Sequence, residues 1–396
     1  MALLEFEDIK FRENGKDIRA YFLENFYFDI EQKELDKLGK WHLKGGSLEI
    51  EGTENIVRRN FSFLLEQKMQ ELCSMQGNPA TYVYEGLIPL IGSLYFGIMD
   101  RGTNIIEIRP ITGCNLNCIF CSVDMEKGMR DFVVNVDYLV KEFEKLAALK
   151  LKEASHIEAH INAQGEPLLY SPLVELVKKV SKIKGVDVVS IDTNGTLLTK
   201  ELIDNLVDAG LTRFNVSLNS FNQKVANKLS DRSYPLNNVI DMCKYISKKS
   251  QLLLAPVWLK GINDEDIEDV IKFGISIGAK IIGIQNFLEY RCGKKPVNQQ
   301  SWEDFYSLLG RLERRYKTKL ILSREDFAIE KAIVLKKPFK KDSFVEAEIV
   351  CDGRLEGEKL AKAGDRAIVI PSCKKNGKVR VKITRDKYNV FYGKIV

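Results

Sequence analysis

No apolar run in this chain reaches the roughly 18 residues that a membrane-spanning helix needs, so no span is expected. The opening MALLEFEDIKFREN turns acidic and polar at once, unlike a secretory signal, and a cytoplasmic address is expected. Internal repeats and low-complexity linkers are missing. Net charge is only +5, too little by itself to imply a polyanionic partner. Cysteine is sparse: eight residues in 396, which in a cytosolic chain are not expected to form a disulfide framework. A second CxxC pair is also missing, and no histidine lies near the cysteine-rich stretch before His156 and His160. Structural zinc usually takes four ligands from paired knuckles, so zinc is disfavoured.

What remains is ordinary globular composition, 45% hydrophobic and 29% charged, in a length that suits two to three domains. The charge is unevenly placed. Residues 336–396 carry 12 Lys and 4 Arg against 4 Asp and 4 Glu, a net of +8, whereas residues 1–335 sum to −3. A basic terminal module is a candidate polyanion footprint.

Hydrophobic periodicity divides the chain into three regions. Residues 1–103 mix short alternating runs, such as LEFEDIKF and YVYEGLIPLIGSLYFGIM, with one helical stretch around Arg58–Met75, and read as a small α+β region. Over 104–336, six strand-like runs each precede a helical run: IIEIRPIT, HIEAHINA, DVVSIDTNG, RFNVSLNS, LLLAPVWLKG and KIIGIQNFLEY. Such alternation predicts a parallel sheet covered by helices, with chemistry at the C-terminal ends of its strands. Over 337–396, FVEAEIVCDG, DRAIVIP, KVRVKITRD and NVFYGKIV predict a small closed β-module.

Cys114, Cys118 and Cys121 fall within eight residues as CxxxCxxC, in the loop after the first strand of the array. Three thiolates can hold three irons of a cubane and leave the fourth open to a ligand. With Phe120 just before the third cysteine, this segment resembles that of the radical S-adenosylmethionine (SAM) enzymes, over roughly residues 104–316. The resemblance implies a partial (β/α)6 TIM-like barrel and a 4Fe–4S cluster on the three cysteines. It also implies SAM bound at the open iron and cleaved to a 5′-deoxyadenosyl radical, with electrons from a flavodoxin- or ferredoxin-like protein.

Other matches follow. Gln164-Gly165-Glu166-Pro167 resembles the family's GGE motif with Gln for the first Gly; Gly165 allows close backbone approach, and Glu166 would pair with the SAM ammonium. Asn194, in DTNG, resembles a common TNG. Ser217 and Asn219 share one face of the fourth strand and resemble the ribose-binding pair. Asn263 and Asp264 read as helix caps. Gln285 or Asn286 would lie beside adenine.

Cys292, in EYRCGKKP near Arg291, Lys294 and Lys295, is a candidate reactive thiol: catalyst, methyl carrier or ligand of an auxiliary cluster. An auxiliary cluster built from Cys292, Cys351 and Cys373 has no supporting spacing. Cys73 and Cys243 sit on helical patterns and read as buried, and His156 and His160 read as structural.

The terminal module resembles a TRAM domain, a small OB-like barrel of RNA-modifying enzymes. Lys374, Lys375, Lys378, Arg380, Lys382 and Arg385 are its densest basic patch, Tyr388 and Tyr392 are candidate stacking groups, and Phe391 reads as core. The expected function is therefore radical modification of an RNA base, most plausibly in tRNA, by methylation ahead of sulfur insertion. Methylthiotransferases share the pairing of domains but have three further N-terminal cysteines, where this chain has only Cys73; no separate cobalamin domain is present. The alternatives are a radical SAM enzyme acting on a small molecule, lipid or protein, and a non-catalytic metal-containing RNA-binding protein.

Overall fold

The computed structural model describes residues 1–127, 130–290 and 292–396. Its centre is a seven-stranded sheet in which β1 (Gly97–Asp100) runs antiparallel to β2 (Ile105–Arg109). The remaining strands follow in chain order and in parallel: β3 (Ile157–Ile161), β4 (Val186–Thr193), β5 (Arg213–Val216), β6 (Gln251–Leu254) and β7 (Ile281–Ile282). β2 to β7 are the six strands expected from the alternating pattern. β1 is an addition that carries the sheet back past the expected boundary at residue 104, because Gly97 (φ +96°) returns the preceding loop into pairing register with β2.

Helices cover the sheet: α1 (Val136–Lys150), α2 (Leu173–Val180), α3 (Lys200–Asp208), α4 (Gln223–Ser230), α5 (Leu236–Lys249), α6 (Asp264–Ser276) and α7 (Trp302–Tyr316). In α1 the side chain of Asn135 accepts from Tyr138 N at 2.9 Å, satisfying one of the first-turn donors. Its buried stripe of Leu139, Phe143, Leu146 and Ala147 follows helical spacing, and each large apolar side chain so buried contributes about 1.5–3 kcal/mol. The stripe ends on Lys150, fully buried against Asp100 at 2.6 Å. α4 falls in a stretch that reads as merely polar; Asn222 initiates it by accepting from Lys224 N and Val225 N.

The N-terminal region is α+β as expected. Two antiparallel sheets, of three and four strands, pack with a helix at Glu54–Lys68. Cys73 lies on a two-residue strand, Cys73–Ser74, rather than on the helix, which ends earlier. The alternating run YVYEGLIPLIGSLYFGIM is not one continuous strand. Strands cover only its two ends, in Ala80–Val83 and Gly97–Asp100, since Pro89 and the positive φ of Gly86 and Gly92 interrupt pairing between them.

That irregular segment receives the C-terminal module, a closed five-stranded barrel of β8 (Phe344–Asp352), β9 (Lys359–Ala363), β10 (Arg366–Ile370), β11 (Lys378–Arg385) and β12 (Tyr392–Ile395). β9, KLAKA, has too little β-propensity to be expected from sequence. Ala367 N donates to Ile91 O at 2.8 Å and Phe391 N to Gly92 O at 2.9 Å. At Gly92 a Cβ would lie 2.1 Å from Ala367 O, so only glycine permits this approach. Among the described residues no helix is long and apolar enough to cross a membrane.

Candidate active site

The cysteine loop runs from a short parallel pairing of Thr112–Gly113 with Gln164–Gly165. It is pinned to the end of α4, where Asn117 N donates to Ser230 O and Ile119 N to Leu229 O, each at 3.0 Å. Within it, Cys121 N donates to Cys118 O at 3.2 Å. The sequence thus places Cys114, Cys118, Cys121 and Phe120 on one side of a cavity of about 310 Å³. The same cavity is lined by Gly165, Glu166, Asn194, Ser217 and Asn219, all at or beyond the C-terminal ends of β3, β4 and β5.

The thiols are half-buried, and their surroundings disfavour the thiolate form. Burial, with the nearby Glu166 carboxylate and Cys121 adding to it, pushes Cys114 up to about 12. Cys118 and Cys121 are raised by burial as well. Asn194 Nδ2 lies 3.9 Å from Cys114 Sγ and donates to Asn115 Oδ1 at 2.9 Å, tying β4 to the loop.

Glu166 is 1% exposed. Its Oε1 accepts from Thr193 Oγ1 at 2.7 Å and Leu168 N at 3.1 Å, and its Oε2 from Asn194 N at 2.8 Å. The carboxylate therefore links the ends of β3 and β4 besides facing the cavity. Burial raises its pKa to about 7 against those hydrogen bonds. Below its ordinary value of 4.5 the group is protonated in folded and unfolded chains alike. Between about pH 4.5 and 7 the unfolded chain gives up the proton first, so rising pH favours unfolding. The apo protein is expected to lose about 3 kcal/mol across that window, and Glu166→Gln to flatten the profile. Urea midpoints at several pH values check this; an equal slope in the variant contradicts it.

Ser217 and Asn219 share the cavity face, as period two requires. Asn219 is itself braced, accepting from Val257 N at 2.8 Å while its Nδ2 donates to Ser217 O at 3.2 Å. Asn263 stands at the start of α6, but its side chain does not cap the helix. It reaches back to donate to Asn219 O at 2.9 Å and Val257 O at 3.0 Å. Asp264 instead accepts from Trp258 Nε1 and Gly261 N.

Other expected residues fall elsewhere. Gln285 is exposed and does not line the cavity, and Asn286 points the other way, donating to Gln300 O. Cys292 is exposed outside the cavity, although its carbonyl accepts from Asp124 N at 2.9 Å, beside the cysteine loop. Arg291, part of its expected basic surroundings, lies outside the described residues. Cys243 is buried, as expected, while Cys351 is half-buried on β8 and Cys373 is buried in the terminal barrel. Among the described residues no three His, Cys, Asp or Glu side chains converge on one ion; the thiols of a cubane need not, since each takes a different iron.

Sequence reasoning missed Arg354, in the turn between β8 and β9. It is 1% exposed and the largest fully buried side chain among the described residues. From the terminal barrel it donates to Asp131 Oδ1 at 3.1 Å and to Gln164 O at 3.3 Å, and its charge favours the thiolate form of Cys121. A lone arginine in a β-turn gives no sign of this role.

On the basic module, Lys374, Lys375, Lys378, Arg380 and Arg385 are exposed, while Lys382 pairs with Asp342 at 2.9 Å. Register sets Lys378 opposite Glu348 and Arg380 opposite Glu346, which offsets part of the patch. Phe391 is core and Tyr388 exposed; Tyr392 is half-buried against Tyr95, away from solvent stacking.

A partial α/β barrel with three cysteines at its mouth, facing a buried acid and a row of polar strand ends, defines a cofactor-binding enzyme of the iron–sulfur type. Residues 108–274 match the Radical SAM superfamily, and the chain belongs to that superfamily. It is 40% identical over 344 residues to the uncharacterized protein MJ0103 of Methanocaldococcus jannaschii, covering 78% of this chain and 79% of that one. It is 29% identical over 199 residues to the GTP 3′,8-cyclase of Aquifex aeolicus, covering 48% of this chain and 58% of the cyclase. Among solved structures, TYW1 with a lysine-pyruvate adduct bound aligns with a TM-score of 0.43 at 19% identity, covering 59% of this chain and 80% of that one.

The enzyme uses a 4Fe–4S cluster and SAM, and the residues present fit both. Three half-buried thiols, all raised by desolvation and two of them also by a neighbouring cysteine, are groups that iron's positive charge would convert to thiolates. Gly165, where a Cβ would lie 1.9 Å from Gly113 O, closes the backbone wall on which a cofactor can lie. Cys114, Cys118 and Cys121 would hold the cluster. Held there, a reduced cluster would supply the one-electron chemistry by which SAM is cleaved.

Proposed function

We propose that this radical SAM enzyme modifies a nucleoside within tRNA, and that methylation of the base is the outcome. The observation that carries the reading is the docking of the basic barrel on the wall of the cavity. Arg354 bonds Gln164 O, a cavity-lining residue, and the next loop of the same barrel end carries Lys374 and Lys375. Cys373 N donates to Gly357 O at 2.8 Å, which holds the two loops together. A phosphate backbone crossing these lysines would run past the cavity mouth. Gly165, Glu166, Asn194, Ser217 and Asn219 are proposed to bind SAM. The N-terminal region holds one cysteine, Cys73, and so does not supply the second trio that sulfur insertion by methylthiotransferases employs. A small one-electron donor protein completes the system.

Removing the barrel is a poor test, since it would strand Asp131 and Tyr95. Lys374→Glu with Lys375→Glu in the full chain is better. Tight, salt-sensitive tRNA binding by the wild type and a loss of about tenfold or more in the variant are expected in gel shifts. Absence of binding at low salt contradicts the reading. A second reading, a free nucleotide as substrate, draws support from the match of the core to enzymes named for GTP, and 5′-deoxyadenosine formation stimulated by mononucleotides but not tRNA would favour it.

A further inference from the structure

The inward-facing residues of β2 to β5 form an ionic network where closed barrels of this kind ordinarily pack branched aliphatic side chains. Strand register builds its lower layer from Glu107, His160, Ser190 and Arg213, each opposite the next. Glu158, two residues earlier on the same face of β3, adds a further acid one layer below, and Asp192 sits opposite Asn215 in the layer above.

The deeper carboxylates are closed off. Glu107 is held by Arg109 Nη2 at 2.7 Å and by Arg101, and Glu158 by Ser190 Oγ at 2.6 Å and by Arg213; their side chains are 9% and 3% exposed. Asp192 differs. Half of its side-chain surface (50%) is open, and it lines the cavity. It lies two residues before Asn194 on β4, about 7 Å deeper along the strand than the expected cofactor-binding groups.

Asp192 is also held in one orientation. Oδ1 accepts from Asn215 Nδ2 at 2.8 Å and Oδ2 from His160 Nε2 at 3.1 Å, while His160 Nδ1 is fixed 2.8 Å from Ser190 Oγ. Burial works against the charged form of both groups. Their charges on each other prevail, raising His160 and lowering Asp192, so the acid is a pure acceptor. Each carboxylate oxygen has room for about two hydrogen bonds, and one is taken on each. Two acceptors side by side remain.

We infer that Asp192, oriented by His160 and Asn215, anchors the substrate at the cavity floor and takes a guanine base by its N1–H and 2-amino edge. Among the four bases only guanine offers two adjacent N–H donors at that spacing. Adenine and cytosine set an amino group beside a ring acceptor, and uracil has one N–H between two carbonyls. The inference rests on the reading that the substrate is a nucleoside.

Equilibrium dialysis of GMP, AMP, CMP and UMP against the SAM-loaded, reconstituted full chain tests it. The wild type is expected to bind GMP about tenfold or more tightly than the others, the strength of one bidentate base contact. Asp192→Asn, which replaces one acceptor by a donor, is expected to abolish that preference without changing SAM affinity. Should that variant fail to fold, Asn215→Ala reports instead, with weaker GMP binding and unchanged AMP binding expected. A GMP preference that survives Asp192→Asn, a preference for another base, or a parallel loss of SAM affinity overturns the assignment while leaving the nucleoside reading in place. Failure of every mononucleotide to bind the wild type overturns the assignment of Asp192, while the nucleoside reading itself falls only if tRNA binding at low salt is absent too.

Discussion

Cys118→Ala protein, reconstituted anaerobically with iron and sulfide, is expected to hold no stable 4Fe–4S cluster and to form no 5′-deoxyadenosine above background. Cys118 is the middle cysteine of the proposed ligand trio, and its carbonyl accepts from Cys121 N, which shapes the loop. Two thiolates would leave two irons without protein ligands, where the proposed site leaves one. The substitution should change folding stability little, because the lost thiol lines a cavity rather than a packed core. Cys243→Ala is the control: that thiol is buried on α5, so its loss should cost some stability but leave iron and sulfide content intact. Iron, sulfide and nucleoside analysis on the two variants separates the roles. A Cys118→Ala enzyme that still cleaved SAM would contradict the ligand assignment.

The second large effect is expected at Arg354. Its guanidinium and the Asp131 carboxylate are both almost fully buried and lie 3.1 Å apart. Asp131 also accepts from Thr112 Oγ1 at 3.0 Å and Asn78 Nδ2 at 3.2 Å, but neither carries charge. Replacing Arg354 by Met leaves the carboxylate buried without a cation, which costs about 3–5 kcal/mol. The same change removes the bond to Gln164 O and loosens the barrel from the cavity wall. Thermal melts of the apo protein should fall sharply, and residues 337–396 should become accessible to protease. Arg354→Lys should recover part of the loss, since an ammonium supplies the charge without the two-pronged reach. A Met variant that melts like the wild type with its barrel still protected would contradict the view of the barrel as part of the site.

Much of this site is legible in the chain because strand periodicity and loop spacing are local. The six strands, the cysteine trio and the pairing of Ser217 with Asn219 on one face all follow from residues near one another in sequence. The structure departs where distant segments meet. β1 depends on Gly97 turning a loop back onto β2, and Asn263 braces Asn219 instead of capping α6 because its Oδ1, the atom a cap needs, accepts from Leu259 N while its Nδ2 donates to Asn219 O. Arg354 acquires its role from Asp131, more than two hundred residues away. His160 reads as structural in sequence, yet its partner Asp192 opens onto the cavity through strand pairing that no local pattern displays. Gln285 illustrates the reverse: a polar residue at a strand end whose pairing with Val257 turns it outward.

The most direct measurement is the formation of 5′-deoxyadenosine by the anaerobically reconstituted full chain, reduced with dithionite and supplied with SAM, followed by mass spectrometry with and without tRNA. Nucleoside formed on reduction and increased by tRNA is the predicted result. A protein that holds a full cluster and SAM yet releases no 5′-deoxyadenosine under either condition would contradict the assignment of radical chemistry to this site.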